Sequence, residues 1–227
     1  MSDTTVVESA GFASPACSMH EVDPHYTGLT PYSEAEEARN IARWRKAERE
    51  RLISKRLAVT AETRAHYSAS IAATLHRLIG RPRGRIVSVY WPFRGEPDLR
   101  TWLEQIGGRG GITALPVVVA KHTPMVFRAW NHGDPLERGI WGIPAPSKGE
   151  AVVPDIVIAP LVGYDKQGYR LGYGGGFFDR TLASLPKPAF AIGVGYARSA
   201  IPTIYPRKHD IPMNAIVTEQ GIQEFER

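Results

Sequence analysis

Residues 33–79 read as two helices. Ser33 followed by Glu36 and Glu37 places an oxygen-bearing cap and early acids at a helix start, and the run Glu34–Leu57 behind it is rich in Ala, Arg, Glu and Leu. Thr60 with Glu62 opens a second helix. Its apolar positions Ile71, Leu75, Leu78 and Ile79 recur at helical spacing, and Gly80 and Pro82 stop it. Beyond residue 80 short apolar runs alternate with helical stretches. Residues 86–91 predict a strand, and Pro97 sits where the next helix should begin. Leu99, Trp102, Leu103 and Ile106 form that helix's buried stripe, and Gly107 and Gly108 end it. Residues 112–119 predict a second strand, 125–130 a hairpin strand, 155–160 a strand buried on both faces, and 190–196 and 215–217 two more.

Strands spaced by helices imply an α/β fold: a three-layer α/β/α sandwich around a mostly parallel, Rossmann-like central sheet. Residues 1–32, mixed Ser, Thr, Gly and Pro without periodicity, are expected to be a flexible tail, and 33–227 a single catalytic domain. The length of 227 residues and the 43% hydrophobic content suit one sizeable core. No apolar run approaches the roughly 18–20 residues that a membrane helix needs. The single cysteine, Cys17, excludes a disulfide within the chain. Without a positively charged, then apolar, N-terminal run no signal peptide is expected, and the chain reads as cytoplasmic and without a membrane partner.

The net charge of +5 is unevenly spread. Residues 1–38 hold no Lys or Arg and seven of the 23 acids, so that segment carries −7. The remainder sets 28 basic residues against 16 acidic ones, a body of +12 that favours an anionic partner. A nucleic-acid partner is not expected. No RRM, KH or zinc-finger pattern occurs, and the basic residues are scattered rather than clustered with aromatics.

The densest chemical signal is the segment 161–180. It follows an apolar strand and precedes a helical run carrying Phe177, Phe178, Leu182 and Leu185, so that Gly172, Gly174, Gly175 and Gly176 stand between strand and helix. Glycines there admit positive φ and let amides approach an anion, to which the helix N-terminus adds partial positive charge. Arg170 can contact a phosphate through two nitrogens, and Asp179 in the first helical turn could hold Mg²⁺. On these residues alone a tight turn and a dipole-favouring Asp explain the pattern about as well. The loop is neither Gly-x-x-x-x-Gly-Lys-Ser/Thr nor a Gly-x-Gly-x-x-Gly fingerprint.

The segment resembles one found in the 5-formyltetrahydrofolate cyclo-ligase (5,10-methenyltetrahydrofolate synthetase) family. Asp165, Gly168, Arg170, Leu171, Gly172, Gly174, Gly176, Phe177, Phe178 and Asp179 stand at its fixed positions. Trp91 to Asp98 with Glu96, Leu115-Pro116, Trp141 with Ile143-Pro144 and Pro146, Gly195-Tyr196-Ala197, and His209-Asp210-Ile211-Pro212 with Val217-Thr218-Glu219 resemble further landmarks. Arg45 and Arg49 fall where members carry two basic residues four apart. The resemblance spans about residues 41–219.

It implies ATP- and Mg²⁺-dependent closure of 5-formyltetrahydrofolate, with or without a polyglutamate tail, to 5,10-methenyltetrahydrofolate, by a chain expected to be a monomer. Arg45, Arg49, Arg170 and the amides of Gly172, Gly174, Gly175 and Gly176, with Phe177 and Phe178, would bind ATP. Arg170 and Asp179 would carry catalysis. Asp179 would bind Mg²⁺, with Asp210 as a second candidate. Glu96, Trp141 and Phe178 would bind the folate. Read without the resemblance, Arg45 and Arg49 would be a solvated helix face and Glu96 a helix-terminus charge. Some members carry Lys at the place of Gly175 and Arg at that of Tyr173; Arg180 or Lys166 could supply the missing charge. A non-catalytic or repurposed nucleotide-binding relative on the same scaffold is the alternative.

Overall fold

The computed structural model describes residues 33–226, so the tail expectation for 1–32 lies outside the described residues. Residues 41–227 form the larger of two compact units, and every site residue below lies in it.

The first two helices are where the pattern put them: α1 at Glu34–Leu57 and α2 at Ala61–Ile79. Thr60 caps α2 by accepting the Thr63 amide at 3.2 Å, and the positive-φ Gly80 closes it. Then follow β1 (Ile86–Ser88), α3 (Arg100–Gly108), β2 (Ile112–Val117), β3 (Val126–Ala129), β4 (Leu136–Arg138), β5 (Pro144–Pro146), β6 (Ala151–Val152) and β7 (Ile156–Pro160). A small hairpin, β8 (Gly163–Tyr164) with β9 (Arg170–Leu171), precedes α4 (Phe177–Ser184). The chain continues through β10 (Phe190–Val194), β11 (Ala215–Thr218) and β12 (Gly221–Glu224).

Eight strands form one sheet in the order β12-β11-β10-β7-β1-β2-β3-β6. The five strands from β11 to β2 are mutually parallel, and the flanking strands are antiparallel. Alternate residues of the apolar runs serve opposite faces. Val87, Ile156, Ile158, Ile192 and Val194 meet α2 and α3 through Ile71, Leu75, Trp102, Leu103 and Ile106. Val157, Ala159, Ala191 and Ile216 meet α4 through Phe178 and Leu182. These are the expected three layers.

The sequence reading misses several details, among them the strands β6 and β12. The strand predicted at 86–91 ends at Ser88, and the helix predicted from Pro97 begins at Arg100. The β4–β5 and β8–β9 hairpins were not anticipated, because their strands are two or three residues long and include Pro144, Pro146 and charged positions.

The chain runs from β1 outward through β2, β3 and β6, then returns to β7 on the other side of β1. Such a reversal leaves a crevice at the carboxyl ends of the two strands, the usual ligand position in an open α/β sheet.

Candidate active site

A cleft of about 980 Å³ opens at that reversal. Its walls come from the segments after β1, β2 and β7, the β4–β5 turn, the loop 172–176, the start of α4, and Arg45 and Arg49 of α1.

Local backbone shapes the glycine loop. Gly174 has φ +95° and Gly176 φ +63°, the left-handed region that a side chain disfavours. A Cβ on Gly174 would also come within 3.3 Å of the Arg49 guanidinium, and one on Gly176 within 2.8 Å of that of Arg180. Gly176 precedes α4, whose first turn has no side-chain cap, so no side-chain oxygen caps its leading amides. Thr181 fixes the helix by accepting the Met125 amide at 2.8 Å.

Arginines and carboxylates meet beside this loop. Arg170 is buried, with Nη2 3.1 Å from Asp179 Oδ1 and its guanidinium carbon 5.3 Å from the centre of the Phe178 ring. Burial pulls its pKa down, against the charges of Asp179 and Asp210. Its Nε has no hydrogen-bond partner among the described residues. Arg49 Nε donates to the Gly172 carbonyl at 2.7 Å, which ties α1 to the loop. Its pKa too is lowered, first by burial and then by Arg45, with Asp210 opposing. Arg45 grips Asp210 (Nη2 to Oδ2, 2.6 Å) and the carbonyls of Ile204 and Tyr205. Burial opposes the charge on Asp210, yet Arg45 and the Arg207 amide hold the carboxyl below its ordinary range. Asp179 Oδ1 also accepts the Ile211 amide at 3.1 Å.

Elsewhere on the wall Glu96 is buried. Its Oε2 accepts the Phe93 amide at 2.9 Å, while Oε1 makes no hydrogen bond of good geometry. Burial raises its pKa to about 7, in spite of the Arg56 charge 4.0 Å away, the Phe93 amide and the nearby Tyr173 hydroxyl. Trp141, in the turn between β4 and β5, is 60% exposed at φ +60° and stands edge-on to Phe177 with ring centres 5.4 Å apart. The mostly bare indole lies on the cleft wall rather than in the core, in a disfavoured backbone region.

The sequence profile of the 5-formyltetrahydrofolate cyclo-ligase family matches residues 41–219, most of the chain and all of this cleft. The chain belongs to that family. The 5-formyltetrahydrofolate cyclo-ligase of Haemophilus influenzae (strain Rd) is 29% identical over 157 residues, 65% of this chain and 83% of the relative. That of Escherichia coli K12 is 32% identical over 147 residues, 61% and 80%. Among solved structures, the Aquifex aeolicus 5,10-methenyltetrahydrofolate synthetase superposes with a TM-score of 0.71 at 26% identity, covering 81% of this chain and 93% of that one. A Mycoplasma pneumoniae 5,10-methenyltetrahydrofolate synthetase shares the fold, at 21% identity and a TM-score of 0.65 over 77% and 98%.

The cleft gathers the residues that the resemblance assigns to ATP, metal and folate: Arg45, Arg49, Glu96, Trp141, Arg170, the four glycines, Phe177, Phe178, Asp179 and Asp210 all line it. The solvated-face alternative for Arg45 and Arg49 fails, because both side chains bond the body of the protein. Neither candidate for the loop's missing charge reaches the cleft wall. Lys166 is exposed in the β8–β9 turn, and Arg180 backs the loop, donating to the Gly175 carbonyl and lying over Phe177. Besides Arg45, Arg49 and Arg170, the cleft is lined by the cations Arg94 and Arg138. Sequence reasoning missed both, and it missed Arg56 and Tyr173. Arg56 had a readable signal: with Arg45, Arg49 and Leu52 it falls at steps of four, three and four, one helical face.

Among the described residues no three His, Cys, Asp or Glu side chains form a metal cage. Asp179 and Asp210 offer hard oxygen donors on the cleft wall, and both act electrostatically on Arg170. Such a pair suits Mg²⁺, which is commonly held by one or two carboxylates with the phosphates of its substrate.

Proposed function

We propose that the protein closes 5-formyltetrahydrofolate to 5,10-methenyltetrahydrofolate, converting ATP to ADP and phosphate in a magnesium-dependent reaction. The observation that carries this reading is the joining, in one cleft, of an arginine-and-glycine anion site with a buried carboxylate and exposed aromatic rings.

The chemistry explains why both parts are needed. A formamide oxygen is a poor leaving group. In the proposed sequence it attacks the γ-phosphorus, and the bond to ADP breaks. N10 of the folate then attacks the activated formyl carbon and gives up its proton. The carbon–oxygen bond breaks, phosphate departs with the electron pair, and the cationic methenyl bridge remains. Little covalent help is required of the protein; positioning and charge neutralisation dominate.

Arg170, Arg49 and the amides at 172–176 would hold the triphosphate. Arg45 stands beside them, bonded to Asp210. Asp179, with Asp210, would hold Mg²⁺, which supplies neutralisation of phosphate charge. Glu96 accepts hydrogen bonds from the pterin or N10 region, and Trp141 and Phe178 lie along the folate. Residues 33–227 act as one catalytic domain, and the chain works as a monomer in the cytoplasm, with small molecules as its only partners.

The test is direct. The protein is mixed with 5-formyltetrahydrofolate, ATP and Mg²⁺, and the near-ultraviolet absorbance of the methenyl product is followed. An ATP-dependent rise is expected; none would overturn the reading. Asp179→Asn is expected to abolish the rise while circular dichroism stays native, and a near-normal rate at low Mg²⁺ would remove its metal role.

A further inference from the structure

Arg56 is the one arginine of α1 that is fully buried, 3% exposed, and its side chain leads behind the cleft wall rather than into the cleft. Its guanidinium is shared among several partners. Nε donates to the Arg94 carbonyl at 2.9 Å, and Nη1 to the Leu161 carbonyl at 3.3 Å. Nη2 donates to the Tyr173 hydroxyl, and Nη1 lies 4.0 Å from Glu96 Oε1.

These contacts converge on one turn. Arg94 (φ +46°) and Gly95 (φ +74°) are both in the left-handed region, which costs free energy for Arg94 and must be held from outside. The hold comes from Arg56 on the Arg94 carbonyl and from the Tyr196 hydroxyl on the Gly95 carbonyl at 3.1 Å. The turn in turn presents Glu96. Tyr173 reaches the same place from the glycine loop, and its hydroxyl lies 3.4 Å from the Phe93 carbonyl.

We propose that Arg56 is a positioning residue for folate binding: from behind the wall its guanidinium ties the turn 93–96, the Glu96 carboxylate and the Tyr173 hydroxyl into one oriented unit. This rests on the reading that Glu96 grips the folate. The glycine loop and the turn 93–96 are thereby both set by one helix, because Arg49 bonds Gly172 and Arg56 bonds both Tyr173 and Arg94.

The groups facing Glu96 are few. They are Arg56 from α1, the Phe93 amide from its own turn, Tyr173 from the loop, and the phenols of Tyr90 and Tyr196, on which Glu96 acts electrostatically. Asp98 acts on Tyr90, and Arg64 and Glu219 act on Tyr196, at one remove. Arg56 is the only cation that acts directly on Glu96 in this set. Removing it leaves a desolvated carboxylate whose ionised form has lost its main support, so its titration must move upward from about 7.

The test uses the full chain with carbon-labelled glutamate, the Glu96 carboxyl being identified by its loss in Glu96→Gln. In Arg56→Gln the Glu96 titration is expected to move to higher pH. The folate KM should rise about tenfold with the ATP KM unchanged, and the acid limb of kcat/KM for folate should shift upward in step. Arg56→Lys keeps the charge but not the planar fork, so its titration should stay near that of the parent while the folate KM still rises. In the Glu96→Gln background Arg56→Gln should change the folate KM by no more than about twofold. An unmoved Glu96 titration in Arg56→Gln, or equal losses for folate and ATP, would overturn the proposal, and if Arg56→Gln does not fold, a folate KM unchanged in Arg56→Lys would do so. If the parent chain turns over no folate, the function reading falls, and the titration alone then decides the role of Arg56.

Discussion

Helices α1 and α2 are neighbours in sequence and opposites in construction. α2 turns Ile71, Leu75 and Ile79 inward and is held by apolar burial against the sheet. α1 turns Arg45, Arg49 and Arg56 inward, with Leu52 among them, and is held by hydrogen bonds from guanidinium groups to the carbonyls of Arg94, Leu161, Gly172 and Ile204 and to the Asp210 carboxylate. The first device is non-directional and tolerates small shifts. The second is directional, and each bond fixes a particular backbone oxygen. An inward face therefore need not be apolar, and where it is made of arginine the helix positions chemistry as well as filling space.

Breaking the α2 side should give the largest effect on stability. Leu75→Ala leaves a void under the sheet, and about 2–5 kcal/mol of unfolding free energy should be lost with kcat unchanged at low temperature. A loss under 1 kcal/mol in denaturant titration would contradict the packing described. The acid facing α1 should come next. Glu96 keeps its proton in the folded chain up to about pH 7, whereas its ordinary value is 4.5. The folded state thus binds the extra proton, and stability must fall as pH rises from about 4.5 to about 7, by on the order of 3 kcal/mol across the window. Glu96→Gln should flatten that slope, and an unaltered slope would show that the carboxyl is not desolvated. Breaking the α1 side at Arg49→Met should cost about 1.5–3 kcal/mol in kcat/KM for ATP, with a much smaller loss of stability. If chemical denaturation and kinetics suffer alike, the contrast between the helices fails. The smallest effect belongs to Arg51, on the outer side of α1, whose bond to Glu48 is exposed. Arg51→Ala should change the melting free energy by no more than about 0.5 kcal/mol, and a larger change would mean that the outer face also carries structure.

Much of the fold was legible because its signals are local. The strands β7 and β10 are continuous apolar runs, and α2 has its cap, its stripe and its glycine stop in order. The glycine loop was legible because backbone conformation at Gly174 and Gly176 and the contact of Gly174 with Arg49 leave little choice of residue. The β4–β5 hairpin was not, since strands of three residues containing proline and charge carry no period. Arg56 was hidden for a different reason. Its spacing from Arg49 was visible, but only the fold brings Arg94, Leu161 and Tyr173, 38 to 117 residues away, to meet it. Burial of Glu96 was likewise a tertiary outcome, because a glutamate before proline reads as exposed.

The pairing of Arg45 with Asp210 and of Arg170 with Asp179 means that the cleft has already neutralised part of its own charge. An anion arriving alone must compete with these carboxylates for the arginines. Under the proposed function, an anion arriving with a divalent cation would instead exchange partners: Asp179 and Asp210 would hold the cation, and the arginines would be released to the anion. Partner exchange leaves fewer ions to be displaced from solution, so binding should depend on salt less steeply than the surplus of basic residues in the chain would suggest. The same exchange would discriminate against bare inorganic phosphate, which brings no cation to trade.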